Sequence, residues 1–403
     1  EMRSRIESIL GYPVGGMWMG TFHGTSHRLL RAHAEEAGLP PAFEILDSDD
    51  QYRLVRRVLR DMNLDEGYWP PRQVQWFING HKEEGRRPHQ LESGDDYQLQ
   101  QMLGIYAAYE EQCQRLGLVD FAELLLRATE LLTNNEPLRA HYQDRFQHVM
   151  VDEFQDTNAI QYRWLRLFAE PRNNIMVVGD DDQSIYGWRG ARVENILQFE
   201  RDFPGTRTVR LEQNYRSTGT ILAAANAVIS FNDGRLGKQL WTEGEEGEPI
   251  HLYSAFNDND EARFVIDRIE DWIGNGNTRS SCAILYRSNA QSRVFEQQLI
   301  DRGVPYRVYG GLRFFERAEI KDALAYMKLV SNRHSDPSFE RVVNVPTRGI
   351  GSRTVEQVRE VARSSECSLW QAATGLCNGD SLTSRARSAL SRFLELIETM
   401  DED

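Results

Sequence analysis

Twice in close succession an apolar segment runs straight into carboxylates, in "HVMVDEFQDTN" (148–158) and in "NIMVVGDDDQ" (174–183). Each apolar stretch is short and rich in Val, Ile and Met, as a buried strand is. Between them, "NAIQYRWLRLF" (158–168) sets Ile160, Trp164, Leu167 and Phe168 on one helical face. Strand, helix, strand predicts a βαβ unit with a parallel sheet. A parallel pair brings both carboxylate-bearing ends to one edge, where doubly wound sheets bind their ligands. One acidic turn after a strand is ordinary solvated surface; two in adjacent turns converge on one crevice.

The same alternation restarts downstream. "RTVRLEQN" (207–214) and "PIHLYSAF" (249–256) read as strands, "DEARFVIDRIEDWI" (260–273) as a helix and "SCAILYRS" (281–288) as a strand. "SRVFEQQLIDRG" (292–303) reads as a helix and "PYRVYGG" (305–311) as a strand. Upstream, "GMWMGTFH" (16–23) reads as a short strand entering a loop, and 26–143 is helical and amphipathic with breaks at "EAGLPP", "YWPPR" and "ESGDD". From residue 316 on, the pattern is helical again, with "NVPTRGIGSRT" (344–354) as a Gly/Pro turn. The expected fold is α/β, with two parallel-sheet units and helical insertions.

Composition narrows the class. A net charge of −14 and a sequence pI near 5.3 argue against a basic nucleic-acid coat protein, although a local groove and not the global sum decides DNA binding. Cys113, Cys282, Cys367 and Cys377 show no CxxC spacing, which favours neither a disulfide framework nor a thiolate metal site. With no apolar run of membrane length and no signal segment, a reducing cytoplasm is the expected location.

The chemistry sits at the strand tips. Asp152 suits a phosphate-bound Mg²⁺, which takes oxygen ligands and is commonly held by one or two carboxylates. Glu153 beside it suits an acid–base or metal role. In "VVGDDDQSIYGWRGA" (177–191), Gln183 could sense a terminal phosphate, while Tyr186, Trp188 and Arg189 offer stacking faces and a cation. The competing reading of Trp188 is a core aromatic, against which Gly187 and Gly190 speak for a loop.

These segments, with "LEQNYRS" (211–217), resemble motifs II, III and IV of superfamily 1 DNA helicases of the UvrD/Rep/PcrA group. "GTFHGTSHRLLR" (20–31) resembles the family's motif Ib, and "AILYRSNAQSR" (283–293) with "YRVYGGLRFFERAEIKD" (306–322) its second-core signature. The resemblance implies two RecA-like cores. Residues 1–22 with 147–212 would form the first and 213–312 the second, with helical domains at 23–146 and 313–403. It implies a bacterial ATP-dependent 3′-to-5′ helicase of repair and replication, with ATP and Mg²⁺ as cofactors. Asp152 and Glu153 fall at the metal, with Glu153 as catalytic base; Gln183 falls at the γ-phosphate, Tyr215 on adenine, and Arg216 as an arginine finger. For single-stranded DNA and its junctions with duplex, it implies Phe22, His23, Phe121, Tyr186, Trp188, Arg189, Arg287 and Asn289. The "TRGIG" turn, with Thr347, Gly349 and Gly351, falls at the duplex. For Phe121 the competing reading is a core residue of a capped helix in "LVDFAELL" (118–125); for Arg216 it is a surface ion pair.

A nucleotide site of this kind needs GxxxxGK[ST], and no such run occurs; Gly237-Lys238 is followed by Gln239. The family's motifs V and VI are absent too. The expectation is therefore an internal piece of a longer helicase that does not hydrolyse ATP by itself. Two other readings are an ATP-independent single-strand-binding module derived from a helicase, and a helicase–nuclease fusion with its nuclease beyond Asp403.

Overall fold

A computed structural model describes residues 2–309, 318–365 and 367–402, without the side chain of residue 402. Residues 310–317 of the second-core signature, and with them the expected 312/313 boundary, lie outside the described residues. The chain forms two compact units, Glu1–Ser217 with Leu222–Glu243 and Thr218–Ile221 with Gly244–Asp403. Among the described residues no helix is long and apolar enough to cross a membrane.

In the first unit, the expected parallel pair forms from Val149–Val151 and Ile175–Val177, in register Val149↔Ile175, Met150↔Met176 and Val151↔Val177. The crossover helix Ala159–Ala169 begins on a reciprocal cap: Gln161 N donates to Asn158 Oδ1 and Asn158 N to Gln161 Oε1, both at 3.0 Å. Its buried Ile160, Trp164 and Phe168 pack with Leu124, Leu125 and Leu132 of the helix Phe121–Asn134 and Leu29 and Leu30 of the helix Phe22–Ala32. The helical stretch expected from residue 26 also contains Ser48–Asp61, Pro71–Glu83, Tyr97–Leu116 and Glu136–Arg145. A short parallel pair that periodicity did not announce, Glu44–Ile45 with Leu118–Val119, joins it.

Two kinds of expectation fail. The segment 16–23 is no strand: Thr21 caps the helix Phe22–Ala32 by accepting from Gly24 N at 3.2 Å, and this local bond overrides the apolar run before it. The segments 207–214, 249–256, 281–288 and 305–309 form no ladder among the described residues, apart from an isolated bridge between Gln213 and Trp241. Many of their apolar side chains face solvent, with Leu252 97% and Leu285 93% exposed. A helix satisfies its own backbone, whereas a strand takes its hydrogen bonds from a neighbour, so the helices beside these segments form without them. Those helices, Asp258–Gly274 and Ser292–Asp301, are as expected. The second unit's largest core is helical, built on Leu329, Phe339, Leu369, Trp370 and Phe393.

Candidate nucleotide and nucleic-acid site

The parallel register delivers both strand tips to one edge of the first unit. Val178 N donates to Val151 O at 2.8 Å and Phe154 N to Val178 O at 3.0 Å, carrying the pairing to the point where the carboxylates begin. Gln155, which motif reading did not single out, binds the two tips together. It is buried; its Nε2 donates to Glu153 Oε2 at 2.7 Å, and its Oε1 accepts from Asp180 N at 3.0 Å. A buried amide satisfied on both sides fixes what it touches, so the Glu153 carboxylate is aimed from below. Gly179 makes room: a Cβ there would stand 2.9 Å from Gln155 Oε1 and 3.3 Å from its backbone N.

Glu153 sits in the left-handed region at φ 52° and ψ 43°, which costs a non-glycine residue about 1–2 kcal/mol. Such strain persists where surrounding bonds over-determine it and is common at functional sites. A second tie lies just beyond, where Asn195 Nδ2 donates to Thr157 O at 3.0 Å and Thr157 Oγ1 to Phe154 O at 2.7 Å.

Asp152 is exposed, and its Oδ1 accepts from Glu153 N at 3.0 Å. Among the described residues no three His, Cys, Asp or Glu side chains converge as a metal cage. An exposed carboxylate at a strand tip fits a Mg²⁺ that brings phosphate oxygens with it better than a cation held by protein alone. Burial, and then the neighbouring Glu153 charge, raise the Asp156 carboxyl above its usual range.

The second tip is held by cations that motif reading assigned no role. Arg235 donates two bonds of 2.6 Å to Asp182, Lys238 pairs with Asp180, and Leu236 N donates to Asp181 Oδ2 at 2.8 Å. The Arg235 hydrogen bond holds the Asp182 carboxyl below its usual range despite partial burial. Gln183 Nε2 donates to Asp180 Oδ2 at 2.7 Å. The Gly-Lys pair that fails as a P-loop thus anchors the Gln183 turn. A basic pair following a triple acid was the available signal, but nothing local says they meet.

The same 235–241 stretch reaches the "QNYRS" turn through Asn214 N to Trp241 O at 2.7 Å and Trp241 N to Glu212 O at 3.1 Å. Asn214 Oδ1 accepts from Arg216 N at 2.9 Å and Ser217 N at 2.7 Å, which shapes the turn. Tyr215 is 86% exposed with its hydroxyl on Gln213 Oε1 at 2.6 Å. Arg216 is exposed and pairs with no carboxylate among the described residues.

Trp188 is 70% exposed, on the short 3₁₀ turn Gly187–Arg189, and is no core residue. The Arg189 guanidinium lies 4.5 Å from its ring centroid and 5.1 Å from that of Tyr186, a cation shared by two aromatic faces. Phe121 is likewise not in the core, being 54% exposed. The fold brings it to His23, with ring centroids 6.1 Å apart and planes at 79°. Burial lowers the His23 pKa. Phe22 is partly buried and packs against two cores.

In the second unit, Asn289 opens the 3₁₀ turn Asn289–Gln291, and Arg287 N donates to Gln291 Oε1 at 3.0 Å. Thr347, Gly349 and Gly351 are exposed. Asn344 Oδ1 accepts from Arg348 N at 2.8 Å, Gly349 has φ 79°, and Gly351 caps the helix Ser352–Ser364. No heavy atom lies within 4 Å of a Cβ built on either glycine, leaving the backbone open to a bulky ligand.

Two family models match the chain: the UvrD/REP helicase N-terminal domain over residues 1–204 and the UvrD-like helicase C-terminal domain over 209–402. The chain is 59% identical over 403 residues to DNA helicase II of Escherichia coli (strain K12), covering all of this chain and 56% of that protein. It is 54% identical over 407 residues to DNA helicase II of Haemophilus influenzae, covering all of this chain and 56% of that protein. To the ATP-dependent DNA helicase PcrA of Staphylococcus aureus (strain Mu50) it is 40% identical over 401 residues, 99% of this chain and 55% of that protein. The chain therefore spans about half the length of these curated relatives.

Proposed function

The chain belongs to the UvrD-like DNA helicases, and on that premise we propose that it carries much of the nucleotide and DNA machinery of an ATP-dependent 3′-to-5′ helicase of DNA repair and replication. The reading gives two RecA-like cores, from 1–22 with 147–212 and from 213–312, and helical domains at 23–146 and 313–403. Its location would be the bacterial cytoplasm.

The observation that carries the proposal is one loop with two duties. The turn Asp181–Gln183 stands on the same sheet edge as Asp152 and Glu153, and a few residues on the loop presents an exposed Trp188. A loop that touches nucleotide at one end and a base at the other is a direct mechanical link between them.

Bound Mg²⁺–ATP would supply the phosphoanhydride and the charge that neutralises its phosphates. Asp152 would hold the ion. Glu153, aimed by Gln155, would orient a water and take its proton, and Gln183 would report on the terminal phosphate. Tyr215 would stack on the adenine and Arg216 would face the γ-phosphate. Phe22, His23, Phe121, Tyr186, Trp188, Arg189, Arg287 and Asn289 would contact single-stranded DNA, and Thr347, Gly349 and Gly351 the junction with duplex. Phe22 is the weakest member, because its ring is partly spent on packing.

GxxxxGK[ST] does not occur in the 403 residues, so ATP turnover is proposed for a chain that carries that loop. The alternative reading is an ATP-independent single-strand-binding module derived from a helicase. The coding sequence ahead of Glu1 discriminates the two.

Trp188→Ala tests the DNA half in the purified chain. Losing one stacked base is expected to weaken oligonucleotide binding by about 1–3 kcal/mol, roughly one to two decades, with little dependence on base identity. Arg189 keeps its charge, so the slope of log affinity against log salt stays as in wild type. A salt titration of both proteins should give parallel, offset lines. Coincident lines would remove Trp188 from the DNA site.

A further inference from the structure

Next to the pair of exposed Phe121 and partly buried His23 lies a buried ion network that the helicase reading leaves unused. Lys82, from the helix Pro71–Glu83, is 1% exposed, and its Nζ donates to Asp120 Oδ2 at 2.8 Å and lies 2.9 Å from Glu123 Oε2. Tyr109, from the helix Tyr97–Leu116, donates its hydroxyl to the same Asp120 Oδ2 at 2.8 Å. Asp120 Oδ1 accepts from Glu123 N at 2.7 Å and so caps the helix Phe121–Asn134. Glu123 in turn accepts from Arg87 at 2.8 and 2.9 Å and from Arg127 at 2.7 Å.

Burial opposes the Lys82 charge, but Asp120 and Glu123 outweigh it and hold the ammonium above its ordinary range. Burial likewise opposes the Glu123 charge, and Lys82 and Arg87 outweigh it to hold that carboxyl well below its ordinary range. Lys82 and Glu123 thus each keep their charge despite burial.

Stability alone is a poor reason for such a network, since a well-packed apolar replacement is often as stable or more so. What the ions fix is a geometry. Three helices meet at one carboxylate, and that carboxylate is the cap immediately before Phe121. Phe121 leaves the cap outward, while Ala122, Leu124 and Leu125 behind it are buried. A frayed or rotated first turn would move the ring away from His23 before it disturbed the apolar face further along.

We propose that Lys82, Tyr109 and Asp120 are positioning residues that lock the first turn of this helix and so hold Phe121 edge-on to His23 as one wall of a single-strand stacking site. The proposal rests on the reading of Phe121 as a DNA contact.

The test is a double-mutant cycle on the purified chain, with a labelled oligothymidine as probe and anisotropy as readout. Phe121→Ala alone is expected to weaken binding by about ten- to a hundredfold. Asp120→Asn keeps a cap acceptor but loses the charge that holds Lys82; it should give a similar loss, and adding Phe121→Ala to it should change little. Equal costs of Phe121→Ala with and without Asp120→Asn, or wild-type binding by Asp120→Asn, would overturn the positioning role and leave Phe121 as a DNA contact. No cost of Phe121→Ala in the wild-type background would instead overturn the reading on which it rests. Circular dichroism shows whether Asp120→Asn folds. If it does not, Tyr109→Phe, which removes one hydrogen bond and keeps the ring, replaces it in the cycle and should give a smaller loss with the same non-additivity.

Discussion

Replacing Arg216 by alanine, in a chain extended to carry the P-loop, is expected to cut ATP turnover by about 10³–10⁵-fold and to leave nucleotide affinity little changed. The side chain is exposed, and its turn is set by Asn214 and not by a salt bridge of its own. A guanidinium with no carboxylate partner among the described residues is available to the charge that develops on a transferring phosphoryl group, and its contribution then appears in the chemical step. Single-turnover hydrolysis beside equilibrium binding of a nucleotide analogue separates the two effects. A turnover loss under about tenfold would assign Arg216 a structural part and void its role as an arginine finger.

Glu153→Gln is the second large effect. Removing a general base costs about 10²–10⁴ in rate, and the substitution should leave Mg²⁺-dependent nucleotide binding nearly intact. The structure says why the isostere is a clean probe. Glu153 accepts from Gln155 Nε2, and a glutamine at 153 can present its own amide oxygen to the same donor. The left-handed backbone at 153 and the Gln155 bridge to Asp180 are then undisturbed. If affinity collapsed while turnover persisted, Glu153 would be a metal ligand and not the base. Its place beside Asp152 makes that a real contest; on the proposed reading Asp152 would take the metal role, since Gln155 already engages the Glu153 carboxylate.

Much of this site was legible in the sequence because it is local. An apolar run ending in carboxylates, twice, with an amphipathic helix between, dictates a parallel pair with a shared edge, and the register Val151↔Val177 is that pair. The glycines around Trp188 marked a loop, and the residue is exposed. Phe121 was ambiguous for a physical reason: the first position of a capped helix can face either way, and only the packing of three helices decides it. Side-chain partners far apart in sequence were illegible. Lys82 reads as one more charge on an amphipathic helix, yet it is buried on Asp120. Arg235 and Lys238 read as surface, yet they hold Asp182 and Asp180. The misread strands fail on the same ground. Segments such as 281–288 have the composition of a strand, but their hydrogen bonds must come from elsewhere, and a sequence pattern cannot supply them.

The claim that one loop couples nucleotide to DNA is tested most directly by linkage. Single-strand affinity would be measured with and without a non-hydrolysable ATP analogue, for the P-loop-bearing chain and its Gln183→Ala variant. Coupled sites differ in affinity by about 5–150-fold between the two conditions. The expected result is a shift in that range for the wild type that disappears in Gln183→Ala, with each ligand still binding on its own. A shift that survives Gln183→Ala undiminished would contradict the link, and place the coupling outside the loop that joins Gln183 to Trp188.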